Sequence, residues 1–290
     1  MNCVKRSMLV CMLAIALTTL LTAAVAEAAG LTSGKWSIVK SPNAGSDVNE
    51  LLGVAAVSTT NVWAVGYYTK NGGAQTLIEH WNGTSWKVVS SPNVGSSGNV
   101  LYGVAAVSTT NVWAVGQHAN THSLGFLTLI EHWNGTSWQV VSSPNVVSSD
   151  SGLVSVVAVS ATNVWAAGGY ANSRGVGQTL IEHWNGTSWQ VVSSPNVAGS
   201  DTNSLYGVAA VSAHDIWAVG FYSPTPTGAA LTLIEHWNGT SWQVVSSPNV
   251  GSRDNFLLGV TRVPSSSSLW AVGLYIDSSG SSKTLTEFSG

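Results

Sequence analysis

Charge and sulfur are both scarce in this chain. Only 8% of its 290 residues are charged, with 10 Lys+Arg against 13 Asp+Glu and a formal net charge of -3. A chain without a basic surface has no source for the counterion release that drives nucleic-acid binding. The only two cysteines are Cys3 and Cys11, both within the first thirty residues. Once that segment is removed the chain is thiol-free, which excludes a disulfide framework, cysteine-ligated zinc and a cysteine nucleophile. Helical periodicity is missing after Gly30, and an apolar fraction of 44% excludes a disordered chain.

At the N-terminus, Lys5 and Arg6 precede an apolar run from Met8 to Leu21, followed by small residues through Ala29. This predicts a secretory signal peptide over residues 1–28, with small-x-small sites at Ala24-Val25-Ala26 and Ala26-Glu27-Ala28 placing cleavage near Glu27 or Ala29. The alternative is an N-terminal membrane anchor, because the run approaches the ~20 residues that span a bilayer. The cleavage-type cluster favours removal. The expectation is therefore a secreted or cell-surface protein whose residues 29–290 form one domain.

Two tryptophan series set the architecture. Trp36, Trp86, Trp138, Trp189 and Trp242 recur at intervals of 50, 52, 51 and 53 residues, and Trp63, Trp113, Trp165, Trp217 and Trp270 at 50, 52, 52 and 53. A unit of that length, repeated five times and built of short β-like runs, predicts propeller blades. Within one unit, LYGVAAVS (101–108), NVWAVGQ (111–117), LTLIEHW (127–133) and SWQVVSS (137–143) are rich in Val, Ile and Trp and bounded by Gly, Asn, Ser or Pro, so each unit supplies four strands. Asn-Gly in WNGTSW predicts a tight hairpin with two positive-φ residues, and the proline of Ser-Pro-Asn ends the fourth strand. The expected fold class is all-β: a five-bladed β-propeller of four-stranded antiparallel blades. KWSIVKSPN reads as a lone fourth strand and KTLTEFSG as a third strand. The ring is expected to close by pairing that N-terminal strand with the C-terminal blade, which removes open sheet edges.

The stretch VWAVGYYTKNGGAQTLIEHWNGTSWKVVSSPN resembles a kelch-type blade. A strand ends in Gly, a variable loop follows, a strand ends in an aromatic residue, and a short turn leads to Trp and a Pro-containing exit. The resemblance runs from Lys35 to Gly290 and departs from kelch at the double glycine, whose second member is Tyr67, Gln117, Phe221 or Leu274 and survives only in Gly168-Gly169. The near-identical units are also similar to the repetitive propellers of bacteria, and the count of five to tachylectin-type lectins.

Glu-His-Trp recurs at Glu79-His80-Trp81, Glu131-His132-Trp133, Glu182-His183-Trp184 and Glu235-His236-Trp237. On a strand, Glu and Trp share one side and His takes the other, and identical copies one blade apart do not converge on a cleft as catalytic groups do. A structural role is expected for this motif, and neither a metal nor a cofactor is expected. The variable positions are the loops on one face of the ring, where function is commonly carried. On that face stand Tyr68, His118, Tyr170, Tyr222 and Tyr275, one ring per blade. They are the candidate ligand platforms, weighed against simple packing between blades. The function expected from the sequence is a non-enzymatic binding propeller, lectin-like and multivalent, with glycans or cell-surface proteins as partners. A protein-interaction scaffold is the alternative. A galactose-oxidase-like or glycosidase-like enzyme is disfavoured, since no cysteine remains for the former and no facing carboxylate pair is visible for the latter.

Overall fold

The computed structural model describes residues 36–120, 125–146 and 150–290. The expected leader, residues 1–28, lies outside the described residues. The described residues form nineteen strands and no helix.

Each fifty-residue unit becomes one antiparallel meander. The first is β1 (Asn49–Ser58), β2 (Asn61–Lys70), β3 (Gly73–Trp81) and β4 (Trp86–Val88), hydrogen-bonded in that order. The second sheet comprises β5 (Val100–Ser108), β6 (Asn111–Ala119), β7 (Phe126–Trp133) and β8 (Trp138–Val141). The third comprises β9 (Ser151–Ser160), β10 (Asn163–Ala171), β11 (Gly177–Trp184) and β12 (Trp189–Val192). The fourth comprises β13 (Thr202–Ser212), β14 (Asp215–Ser223), β15 (Leu231–Trp237) and β16 (Trp242–Val245). The fifth sheet has three strands, β17 (Asn255–Arg262), β18 (Leu269–Ile276) and β19 (Ser282–Ser289).

The hydrophobic core lies between sheets, because alternate residues of each second strand face opposite neighbours. In β6, Trp113 and Val115 join Leu153, Val164 and Trp189 of the third sheet. The intervening Val112 and Ala114 join Trp63 and Val65 of the first. Trp113 sits 4.8 Å from Trp184 and 5.3 Å, edge-on, from Trp189. Such aromatic wedges give each sheet-to-sheet junction its buried area and orientation.

Every first strand carries a bulge. Pairing skips residue 52 between Leu51 and Gly53, and likewise 102, 206 and 258; in β9 it skips Val154. The bulge brings the two backbones so close that a Cβ on Gly66, Gly116, Gly168, Gly220 or Gly273 would overlap a carbonyl oxygen of the first strand. That contact explains the glycine that follows each Trp-Ala-Val or Trp-Ala-Ala run, and the bulge re-aims the skipped side chain.

One sequence expectation needs correction. The WNGTSW loops are four-residue turns in which only the glycine has positive φ, 92° at Gly83. Asn82 stays out of the left-handed region because its side-chain oxygen accepts the N–H groups of Thr84 and Ser85, both at 3.0 Å, and so closes the turn itself. The fourth strand of the fifth sheet, expected from the N-terminal segment, is not formed among the described residues. Residues 36–43 form no strand, and Trp36 is 98% exposed. Elsewhere the fourth strand is anchored by a cross-strand tryptophan pair, as Trp237 with Trp242. β19 offers Phe288 and Ser289 where β15 has His236 and Trp237, so that anchor is missing. Trp270 of the fifth sheet is 44% exposed, against 1% for Trp113, which Trp184 and Trp189 of the following sheet cover.

Candidate ligand cleft

The Glu-His-Trp motif is spread around the sheets, one copy to each of the first four. His80 stacks on Trp63 at 4.2 Å, and its Nε2 lies 3.0 Å from Asn61 Oδ1, an acceptor that assigns the ring proton to Nε2. His132 and His183 repeat this with Asn111 and Asn163, and His236 does so with Asp215 at 2.9 Å. Burial pushes the His80, His132 and His183 rings below the usual imidazole range. Trp133, Trp184 and Trp237 turn to the preceding sheet, where they meet Trp63, Trp113 and Trp165.

The glutamates belong to a clip made with Ser-Pro-Asn. The asparagine accepts the backbone N–H of a threonine in the third strand of its own sheet: Asn93 from Thr76 at 2.8 Å, Asn145 from Thr128, Asn196 from Thr179 and Asn249 from Thr232. The serine reaches the next sheet. Ser143 donates to Glu182 at 2.9 Å, Ser194 to Glu235 at 2.6 Å, Ser247 to Glu287 at 2.9 Å and Ser41 to Glu79 at 2.6 Å. At the first-to-second junction Ser91 turns instead to Thr76, and the Glu131 carboxyl has no partner among the described residues. Burial pushes Glu182 and Glu235 up to about 8, against the pull of the serine bonds, and holds Glu131 well above the carboxylate range.

Of the five candidate platforms, Tyr170, Tyr222 and Tyr275 are half-buried against three different inter-sheet cores. Tyr68 lies against Gly45, and His118 donates through Nδ1 to the Ala119 carbonyl at 3.0 Å. The five do not meet. Tyr170 alone lines the cleft that distinguishes one sheet from the others.

That cleft, of about 140 Å³, opens on the variable-loop face over the third sheet, between its second and fourth neighbours. Its origin is a cross-strand pair. Glu50 faces Tyr67 in the first sheet, Val100 faces Gln117, Ser204 faces Phe221, and Phe256 faces Leu274. In the third sheet the pair is Gly152 with Gly169, which has no side chain at all. The bulged residue is also reduced there, to Val154 where the adjacent sheets have Tyr102 and Tyr206. In the fourth and fifth sheets the equivalent space is filled, with Phe221 packed edge-on against Phe256 at 4.9 Å and stacked near Tyr206 at 5.9 Å.

Tyr102, Phe126, Tyr170 and Tyr206 wall the cleft, and Asp150 is its one charged residue among those described. Asp150 occupies a left-handed conformation, φ 55°, where the preceding unit has Gly98. Ser151 is 1% exposed, and its hydroxyl has no hydrogen-bond partner among the described residues. The asparagines at its place in the other sheets accept loop N–H groups, as Asn99 does from Val94 at 2.8 Å. Sequence reasoning registered the Gly168-Gly169 departure but missed Gly152 and Val154, whose signal is their mismatch with the aligned units. No group of three His, Cys, Asp or Glu suited to a metal exists among the described residues.

The chain is similar to solved β-propeller structures. YCF48 bound to a D1 peptide has 13% identity and a TM-score of 0.50, covering 88% of this chain and 71% of that one. YjhT has 14% and 0.49, covering 77% and 72%. A GH74 xyloglucanase from Xanthomonas campestris has 14% and 0.47, covering 81% and 36%. No protein-family model and no curated protein matches the chain. At these identities the likeness shows the fold alone: this is an all-β chain of propeller-type sheets. The expectation of a non-enzymatic, lectin-like or scaffold ring is withdrawn, because glycoside hydrolases stand among the propellers it is similar to. A propeller frame does not separate binders from enzymes.

Proposed function

We propose that the chain works through one site, the cleft over the third sheet, and that this site takes a single small ligand with a flat apolar face and a hydrogen-bonding edge. The observation that carries this is the Gly152–Gly169 pair. In a set of nearly identical units, one unit loses both facing side chains and gains a tyrosine-walled hollow. Aromatic walls with few polar groups are the usual chemistry of a small-molecule pocket. A fragment screen by thermal shift tests the reading. Hits that stabilise the wild type and fail with Gly169→Phe support it, and hits indifferent to that change refute it. Mass spectrometry of the recovered ligand shows whether the cleft also transforms what it holds.

The rigid frame behind the cleft is part of the proposal: five sheets closed into a ring, with residues 36–39 as the fourth strand of the fifth sheet. The half-engaged clip supports this, since Ser41 already holds Glu79 as Ser143 holds Glu182. The register of β15 with β16 carries over to Ser37 opposite Phe288 and Ile38 opposite Glu287. Ser37→Cys with Phe288→Cys should form an intramolecular disulfide on oxidation; a monomer that stays reduced rejects closure.

A further inference from the structure

The chemistry of the cleft walls narrows the ligand further, and this inference rests on the cleft being the working site. Four aromatic side chains, Tyr102, Phe126, Tyr170 and Tyr206, share a hollow with the Asp150 carboxylate and with no Lys, Arg or His among the described residues. The carboxylate lies over Gly125, whose missing side chain leaves its Oδ1 room. In the fifth sheet the corresponding Asp254 is tied down, its Oδ1 accepting the Ala230 N–H at 2.8 Å. Asp150 has no such side-chain bond among the described residues.

We propose that the cleft recognises an organic cation, an alkylated ammonium group whose methyls meet the aromatic walls while its charge is balanced by Asp150. Ring faces carry negative quadrupole potential and attract such groups, more strongly where water is excluded. A bare ammonium or a metal ion would have to give up strong hydration to enter, and among the described residues only one carboxylate is there to replace it. An alkylammonium gives up little and gains apolar contact. Anionic ligands are disfavoured by the same carboxylate.

Calorimetry with choline and with its neutral isostere 3,3-dimethyl-1-butanol tests this at pH 7 and low salt, where a partly exposed charge pair is least screened. Choline should bind at least about tenfold more tightly than the isostere, equivalent to about 1.4 kcal/mol. Asp150→Asn should remove most of that difference and leave the isostere unchanged. Gly169→Phe should abolish binding of both, and Val154→Tyr, which restores the residue of the adjacent sheets, is the second blocking variant should the first misfold. Equal affinity for the two probes, both lost with Gly169→Phe, would overturn the cation inference and keep the cleft. Choline binding that survives both blocking variants would overturn the inference by placing the cation elsewhere. Absence of binding by either probe would overturn it too, leaving the fragment screen to judge the cleft.

Discussion

The third and fourth sheets share their strand order, their clip and their buried glutamate, yet differ completely at one cross-strand pair. In the fourth, Phe221 opposite Ser204 belongs to an aromatic cluster with Tyr206 and Phe256. In the third, Gly152 opposite Gly169 leaves a cleft. The layer that joins sheets is uniform, whereas the layer beneath the variable loops is where the units diverge. Among near-copies, identity marks what every junction needs, and departure marks where one unit does something else.

The sharpest way to break the comparison is to exchange the pair. Phe221→Gly should open the fourth sheet as the third is open, at about 3–5 kcal/mol for the lost aromatic packing, with a further cost for glycine in a strand. Thermal unfolding reads this as a fall of about 10 °C or more. A shift within a degree or two would mean that the aromatic cluster contributes nothing there.

Next in size is an effect the two sheets should share. Glu182 and Glu235 are held near 8 in the fold, against about 4.5 when unfolded. Between those values the folded state binds more protons than the unfolded one. Stability is therefore full below about pH 4.5 and is lost as pH rises through 8, each group contributing on the order of 5 kcal/mol. Denaturant midpoints from pH 5 to 8.5 should fall in the wild type and flatten with Glu182→Gln or Glu235→Gln, whose amide oxygen still accepts from serine. Parallel pH slopes in wild type and variants would show that the carboxyls are charged in the fold.

The smallest stability change belongs to Gly169→Phe. Its backbone is not left-handed, and a Cβ there meets Gln178 O and Ser204 Oγ at 3.2 Å, a contact relieved by a few tenths of an ångström. The variant should melt within about 1 kcal/mol of wild type, as volume is filled and no group is orphaned. A loss as large as that of Phe221→Gly would make the third sheet's glycines a packing requirement instead of an opening.

Much of this architecture was legible before any coordinates. The tryptophan period, the four runs per unit and the sites of the turns follow from local pattern, because strand alternation and turn chemistry act over a few residues. The same holds for the placement of the variable loops on one face, which meander connectivity dictates. Trp81 Nε1 donating to the Thr59 carbonyl shows the two short turns together at the opposite end. The expectation that WNGTSW forms a two-residue turn failed because the asparagine side chain competes with the backbone for the same N–H groups.

What the sequence by itself determined is the unit, its strands and the glycine inside each second strand, which the structure carries on past that residue. Tertiary structure alone decided which residues face one another. The skipped residue in each first strand shifts the register by one, and nothing local marks that bulge as the point where Val154 turns toward the cleft and Gly152 meets Gly169, seventeen positions away. It also decided that a serine clips a glutamate 39 residues ahead, as Ser143 does Glu182. Both are contacts between distant parts of the chain, set by how twisted sheets pack, and a short-range pattern carries no record of them.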